Sequence, residues 1–425
     1  MNLSEHRIPA DTFDELASGT VGVETVAHLT AGQHSKHFLL VRGVLEAARE
    51  GGHARWAVVR RAYDLLATIQ QHDPAAVDAV LRHPSVGAWA RHAIQTLETP
   101  EQLAAVAAAA AIRARVNCEV DVPVYDGAIT LPSLGQVAAP GGARTATVHC
   151  SPDGAEVSAG GLVVEIGGDT PAWRGLRSLS ATSGERRFDV VIDDVDPHRM
   201  PGSANLGGRL GAAEAERWQE LLDGAWDLLT GTHPEVADEV SAAISVLTPL
   251  SAPPEGLSSA TSRDTYGCVA LSTPPDAREL AVTLAHETQH AKLSALLDIV
   301  PLTLPDDGSR YYAPWRDDPR PASGLLQGAY AFLGVTGFWR RQRHEETGGA
   351  AVRAGAEFTR WRGAARTVTG TLLSSGRLTG PGERFVGRLG AKLDEWADDP
   401  VPAASARLAK DAAEQHLTAW RTRNG

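Results

Sequence analysis

The sequence predicts an α+β protein, predominantly helical, with a β-rich segment in the middle. Apolar residues recur at helical spacing over about 12–116 and again from about 211 to the end. Between about 119 and 200 they give way to short alternating stretches separated by Gly and Pro clusters. The 425 residues, 43% hydrophobic and 22% charged, have the usage of ordinary folded proteins and are enough for more than one core.

In the first region, "VAHLTAGQHSKHFLLVRGVLEAA" places apolar residues on a helical face, and the Ala-rich run 101–113 has high helix propensity. "HDPAAVDAVL" predicts a helix start with Asp73 as N-cap and Pro74 at the first position. The middle region offers the strands VDVPVY, AITLPS, TATVHC, GLVVEI and RFDVVIDDV. They predict a structural sheet, with a peptide-docking surface as the other use for it. "AAEAERWQELLDGAWDLL" then restores the helical pattern, and TYGCVALST predicts a short strand at 265–273. A helix from Pro275 to about Asp298 follows, then a Pro-rich connection over 300–321 and helices over 322–345, 350–376 and 381–420. The division is therefore an N-terminal helical region (1–118), a β-rich segment (119–205) and a helical region (206–425) that carries the chemistry. No repeat of 20–50 residues is visible.

The formal net charge of −12 disfavours broad contact with nucleic acid. Cys118, Cys150 and Cys268 fit neither a disulfide framework nor a thiolate metal site and are expected to be small buried hydrophobes. The N-terminus lacks the pattern of a signal peptide, and the longest apolar run, 103–112, is too short to span a membrane. A soluble, cytoplasmic protein with no membrane partner is the expectation.

The chemistry is concentrated in "LAHETQHAKLSALLDIV", residues 284–300, which contains His-Glu-x-x-His at His286, Glu287 and His290. On a helix, residues i and i+4 share a face, so the two imidazoles can hold one metal ion. Glu287, about 100° away, can reach a water on that ion as a general base. Leu280, Leu284, Leu293 and Leu297 give the helix an apolar stripe. Two features weigh against a peptidase. Lys292 stands where an apolar residue is usual, and Leu293 and Leu296 occupy the positions of an extended His-rich motif. Later carboxylates, Asp298, Glu345, Glu346 and Glu357, fall in no recognisable peptidase pattern.

Downstream, "YYAPWRDDPRPASGLLQGAYAFLGVTGFWR" joins large aromatics to Arg316 and Arg320. Guanidinium groups capture carboxylates in a bidentate fashion, which makes both arginines candidates for an acidic ligand. Equally, they can pair with Asp317 and Asp318 in a rigid loop. Gln327 projects from the next helix. It either faces the metal with its amide oxygen or makes ordinary hydrogen bonds. His233-Pro-Glu235 has the spacing of a cupin ligand pair, but its proline and helical surroundings disfavour a ligand strand.

Together, "LAHETQHAKLSALLDIV", "YYAPWRDDPRPASGLLQGAYAFLGVTGFW" and the N-terminal "ELASGTVGVETVAHLTAGQHSKHFLLVR" resemble the HExxH-motif proteins of bacterial ribosomal-peptide gene clusters. Those proteins occur alone or fused behind radical-SAM cyclophane synthases. The resemblance implies an iron(II)- and 2-oxoglutarate-dependent dioxygenase that β-hydroxylates a precursor peptide. It also implies a metal site on a zincin-like HExxH helix rather than in a cupin barrel. In that reading His286 and His290 bind Fe(II), Arg316 and Arg320 are candidates for the 2-oxoglutarate carboxylate, and Gln327 is the candidate third metal ligand. The partners would be a ribosomally synthesised precursor peptide and a radical-SAM maturase. An oxygenase of this type leaves metal positions to cosubstrate and dioxygen, so it needs few protein ligands. The alternative is a zinc metallopeptidase, with Zn2+ on the two histidines and Glu287 as base.

Overall fold

A computed structural model describes residues 6–167, 171–254 and 256–425. The chain opens with helices α1 (Ala10–Ala17), α2 (Val23–Glu50), α3 (Trp56–His72), α4 (Pro74–Leu81), α5 (Pro84–Thr96) and α6 (Leu103–Arg113). Asp73 caps α4 as expected, its carboxylate accepting from the Ala76 amide at 3.0 Å. The Ala-rich stretch of α6 is wholly buried, from Leu103 through Ala111. Its short side chains let α3, α4 and β1 approach its backbone closely, so the longest apolar run of the sequence is a core helix.

Next come β1 (Cys118–Pro123), β2 (Ala128–Leu131), β3 (Gly135–Ala138), β4 (Thr145–Ser151), β5 (Gly154–Ala159), β6 (Leu162–Glu165), β7 (Trp173–Gly175), β8 (Arg177–Ser183) and β9 (Arg186–Ile192). Ala146, Val148 and Cys150 of β4 alternate inward, as a half-buried antiparallel strand requires. Two antiparallel sheets, ordered β1-β4-β5-β6 and β2-β3-β7, cover the N-terminal helices and share one core with them. Cys118 and Cys150, distant in sequence, are register partners across β1 and β4.

The remaining elements are α7 (Ala212–Thr232), α8 (Pro234–Ala243), β10 (Val246–Pro249), β11 (Ser259–Ala260), β12 (Cys268–Leu271), α9 (Ala277–Leu297), α10 (Ala322–Gln342), α11 (Gly348–Ser374), α12 (Gly380–Glu395) and α13 (Ala403–Asn424). The hairpin β8–β9 pairs not with the preceding sheets but with β10 and β12, in the order β11-β12-β10-β9-β8. This third sheet therefore runs across the 205/206 division. Its inner strands β10 and β12 are parallel and buried at every residue, which is why β12 is the continuous apolar run CVAL rather than an alternation, while β10 was not expected. The protein is thus α+β, mostly helical, and without a barrel.

The helix expected over 381–420 is two helices. Pro400 and Pro402 follow the end of α12, and the turn is held by Asp399, which accepts from Arg340 Nε at 2.6 Å and pairs with Arg343. No helix among the described residues is long and apolar enough to cross a membrane.

The motif helix α9 starts at Asp276, whose carboxylate caps the Glu279 amide at 2.9 Å. It packs against α7, α10, α8 and α2. Lys292 lies on its core side. Fully buried, its ammonium donates to Glu239 Oε2 at 2.7 Å and to the Gly19 carbonyl at 2.8 Å. Glu239 also accepts from the Val21 amide at 2.7 Å. The lysine that looked out of place beside a metal motif therefore faces away from the motif and ties α9 to α8 and to the connection between α1 and α2.

Candidate metal centre and arginine loop

His286 lies seven positions after Glu279, and Glu279, Thr283, His286 and His290 follow one face of α9 at helical intervals. On it the rings of His286 and His290 stand 4.8 Å apart, edge to face. Phe332 of α10 buttresses His286 with a centroid distance of 5.2 Å. Burial, with the nearby His290, holds His286 well below the ordinary imidazole range, so it is neutral. His290 Nδ1 donates to Gln327 Oε1 at 2.9 Å, which leaves Nε2 as the ring nitrogen not engaged by Gln327. Gln327 Nε2 in turn leans on Ser294 Oγ at 3.4 Å. A neutral imidazole oriented through its second nitrogen is the form in which histidine ligates a metal.

Glu287 is 1% exposed. Its Oε1 accepts from Ser259 Oγ of β11 at 2.7 Å, and its Oε2 is buried without a hydrogen-bond partner among the described residues. A buried carboxylate oxygen in that condition is costly unless a cation, a proton or a water reaches it. Glu287, His286, His290, Arg316, Arg320 and Gln327 all line one cavity of about 550 Å3.

The arginines enter through the connection between α9 and α10. Tyr311 and Arg320 close it with a pair of backbone hydrogen bonds at 2.9 Å. Trp315 then stacks on Phe332, centroids 4.8 Å apart, over Gly328. A Cβ on Gly328 would lie 2.3 Å from the Trp315 ring, so only glycine admits the indole here. Arg316 Nε and Arg320 Nη1 share Asp318, at 3.0 and 2.9 Å. Asp317 instead pairs with Arg423 at 2.6 Å, and its carbonyl accepts from Asn424 Nδ2 at 2.7 Å, which docks the end of α13 on the loop. Asp318 is 48% exposed, and an ion pair in that setting is weak enough for an incoming carboxylate to displace.

No Asp, Glu, Cys or third His among the described residues brings a ligand atom close enough to both rings to complete a three-ligand cluster. The carboxylates that the sequence offered are engaged elsewhere or lie outside. Asp298 holds Lys36, Gln33 and Arg263. Glu346 meets Gln342 and Arg278. Glu357 accepts from Trp361 Nε1 at 2.6 Å, and Glu345 is exposed. Gln327, the sequence's candidate third ligand, spends its oxygen on His290. His233 is buried, stacked on Phe338 at 4.2 Å and hydrogen-bonded to Gln342 Oε1 at 3.1 Å, while Glu235 pairs with Arg341. That pair is a packing feature.

Several lining residues were not singled out in the sequence. Ser259 and Arg263 reach the cavity from the β11 region, and Phe332 reaches it from α10. On the other side of His286 lies a second cavity of about 450 Å3, lined by Val282, Val335, Trp339 and Trp361 with Glu279 and Arg353. His286 and Ser259 belong to both cavities. Extending the helical face of the motif back from His286 would have found Glu279 and Thr283. Nothing local marks Trp361 or Ser259, which arrive only through tertiary packing.

Compared with known proteins, the chain matches no family model and no curated sequence. The donor set fits a divalent metal through its two imidazoles, with the remaining positions left to non-protein ligands.

Proposed function

We propose that the chain is an iron(II)- and 2-oxoglutarate-dependent oxygenase that β-hydroxylates a residue of a ribosomally made precursor peptide. The observation that carries this reading is the meeting of two cavities at His286. One holds the histidine pair together with Arg316 and Arg320, and the other is lined by Trp339, Trp361 and aliphatic side chains together with the charged Arg278, Glu279, Arg353 and Glu357. A reaction that couples a small dicarboxylate to a side chain of a larger peptide needs two such compartments joined at one centre.

In this reading His286 and His290 hold the iron, and Gln327 fixes the tautomer and orientation of His290 rather than serving as a ligand. Bound there, iron(II) with 2-oxoglutarate supplies the oxidising power for inserting an oxygen atom from dioxygen into a C–H bond. Arg316 and Arg320 exchange Asp318 for the distal carboxylate of 2-oxoglutarate, which a planar guanidinium grips through two parallel hydrogen bonds. Trp339 and Trp361 exclude water around the peptide side chain. Glu287, held by Ser259 at the wall of the cavity, orients water or substrate.

Purified protein loaded with Fe(II) should convert 2-oxoglutarate to succinate, faster when its peptide is present. The zinc peptidase is the second reading, because the free Glu287 oxygen is also what a general base requires. Peptide cleavage that EDTA abolishes and zinc restores, with no succinate formed, would establish the peptidase instead.

A further inference from the structure

A second set of ligand-type side chains is closed inside the protein, away from α9. His83 immediately precedes α5, and Asp193 and Asp196 follow β9 in "DDVDP". They are 7%, 1% and 4% exposed. Their ligand atoms all lie within 4.8 Å of one another, and they form the only group of three such residues among the described residues.

The hydrogen bonds around them fix where the lone pairs point. Ser85 Oγ donates to Asp196 Oδ2 at 2.8 Å, so the same hydroxyl accepts from His83 Nδ1, also at 2.8 Å. His83 is thereby protonated on Nδ1 and presents a bare Nε2. Asp193 Oδ1 accepts from the amides of Val195 and Asp196 at 3.2 and 2.9 Å, which leaves Oδ2 unused. His83 Nε2 and Asp193 Oδ2 face each other at 3.8 Å, both buried and both without a hydrogen-bond partner. Two acceptors held face to face in a dry interior repel unless something positive lies between them.

Among the described residues no side chain donates a hydrogen bond to either acceptor. Burial keeps His83 below the ordinary imidazole range against the pull of Asp193. Arg113 acts on His83 and Arg199 on Asp196, but Arg199 Nη1 and Nη2 donate to the carbonyls of Asp196 and Gly207 at 2.6 and 2.9 Å, and its buried Nε has no hydrogen-bond partner among the described residues. Asp194 turns away to Arg209 and Arg177. Asp196 Oδ1 accepts from the His198 amide at 2.8 Å and keeps lone pairs to spare.

We propose that His83 Nε2, Asp193 Oδ2 and an Asp196 oxygen bind a divalent transition-metal cation of the zinc or manganese class. One imidazole and two carboxylates make a nitrogen and oxygen donor set that such ions favour, and burial of all three makes the site structural rather than catalytic. Its position gives it a task. His83 stands where α4 meets α5, whose apolar residues pack in the N-terminal core, whereas Asp193 and Asp196 extend from the sheet that supports α9. The cation fastens one core to the other.

The test uses full-length protein carrying His286→Ala and His290→Ala, so that the HExxH pair cannot contribute. After chelation and reloading with zinc or manganese, elemental analysis should find one equivalent per chain, and the loaded protein should melt at a higher temperature than the stripped one. Adding Asp193→Asn should reduce the metal to trace and abolish the melting shift. Should Asp193→Asn fail to fold, anomalous diffraction from the loaded double-histidine variant should put the metal beside His83. The proposal is overturned if that variant takes up neither metal and its melting is unchanged, or if folded Asp193→Asn keeps its equivalent. Anomalous signal elsewhere would overturn it too.

Discussion

His290 and Gln327 show how much one contact decides at the scale of the residue. An imidazole ligates well only when its other nitrogen is anchored, and Gln327 Oε1 is that anchor at 2.9 Å. Gln327→Ala should weaken metal binding by about 10- to 100-fold, whereas Gln327→Glu, which retains an acceptor, should bind metal nearly as well as the parent. Chelator competition measures both. The arginines pose the complementary question. If they hold 2-oxoglutarate, replacing one by Lys removes a charge-assisted contact of about 1.5–3 kcal/mol, or roughly ten- to hundredfold in cosubstrate affinity. Metal content should not change, because neither arginine is a ligand. Titration of the iron form, followed by its charge-transfer absorption, reads this directly. If Arg316→Lys and Arg320→Lys both titrate like the parent, the cosubstrate site is elsewhere. At this scale the sequence announced the residues whose spacing or company is unusual, namely the histidines one turn apart and the arginines among aromatics and prolines. It could not announce Ser259, whose contact with Glu287 spans 28 residues and depends on β11 lying against α9.

Among the elements, α9 has two working faces, and its rear face bears on stability. Lys292 and Glu239 form an ion pair that is almost entirely buried, 2.7 Å apart. Burial pulls the lysine below its ordinary pKa while Glu239 pushes it back up. Lys292→Met leaves Glu239 unpaired in the core and should cost about 3–5 kcal/mol in urea unfolding. Replacing both, as Lys292→Met with Glu239→Leu, should recover most of that loss, because a buried pair exchanged for packed apolar groups is often neutral. A double variant as unstable as the single would show that the pair's backbone contacts to Gly19 and Val21 matter more than its charges. The front of α9 depends on the loop above it. Gly328→Ala would push Trp315 off Phe332 and move both arginines with it. Overpacking of this kind should cost about 1–3 kcal/mol, and cosubstrate binding should weaken in the same variant. Alternation made β1, β2, β4, β6 and β9 legible in the sequence, and Asp73-Pro74 made the start of α4 legible. Strands β3, β5, β7, β8, β10 and β11 were missed; Gly, Ala and Ser fill much of β5 and β8 and leave little hydrophobic contrast, and β7 and β11 are only three and two residues long. The break between α12 and α13 was overlooked although Pro400 and Pro402 marked it. That the β8–β9 hairpin would join β10 instead of the two sheets that precede it was not legible at all, since pairing partners are chosen by tertiary packing.

At the scale of the whole molecule, two cores are held together by buried polar groups as well as by apolar contact, and this makes stability depend on pH. His37 is buried on α2 with Nδ1 on the Leu81 carbonyl at 2.7 Å, and His233 is buried between α7 and α8. Burial lowers each to about 4, and it lowers His34 to about 3. In the unfolded chain these imidazoles take up protons near pH 6.5. Between pH 6.5 and about 4 the unfolded state therefore binds more protons than the folded one, and stability falls as pH falls. Above 6.5 the contribution is fully present. Each group that stays neutral in the fold removes roughly 1.4 kcal/mol per pH unit across that window. Glu279 and Asp196, both raised by burial and Asp196 to about 7, work in the opposite direction, whereas His198, lowered to about 4, and the lowered His83, His286 and His416 add to the imidazole side. Carboxylates lowered by arginine partners, such as Asp14 and Asp399, add their own loss only below their unfolded value of 3.8. Urea unfolding at pH 7.5 and pH 5.5 should thus differ by several kcal/mol in favour of the higher pH, with unchanged m-values. His37→Gln should flatten the slope by one group's share, because a glutamine there can still donate to Leu81 but takes up no proton. A slope unaltered by His37→Gln would mean that His37 is already charged in the folded protein, and a slope of opposite sign would mean that the raised carboxyls outweigh the buried imidazoles.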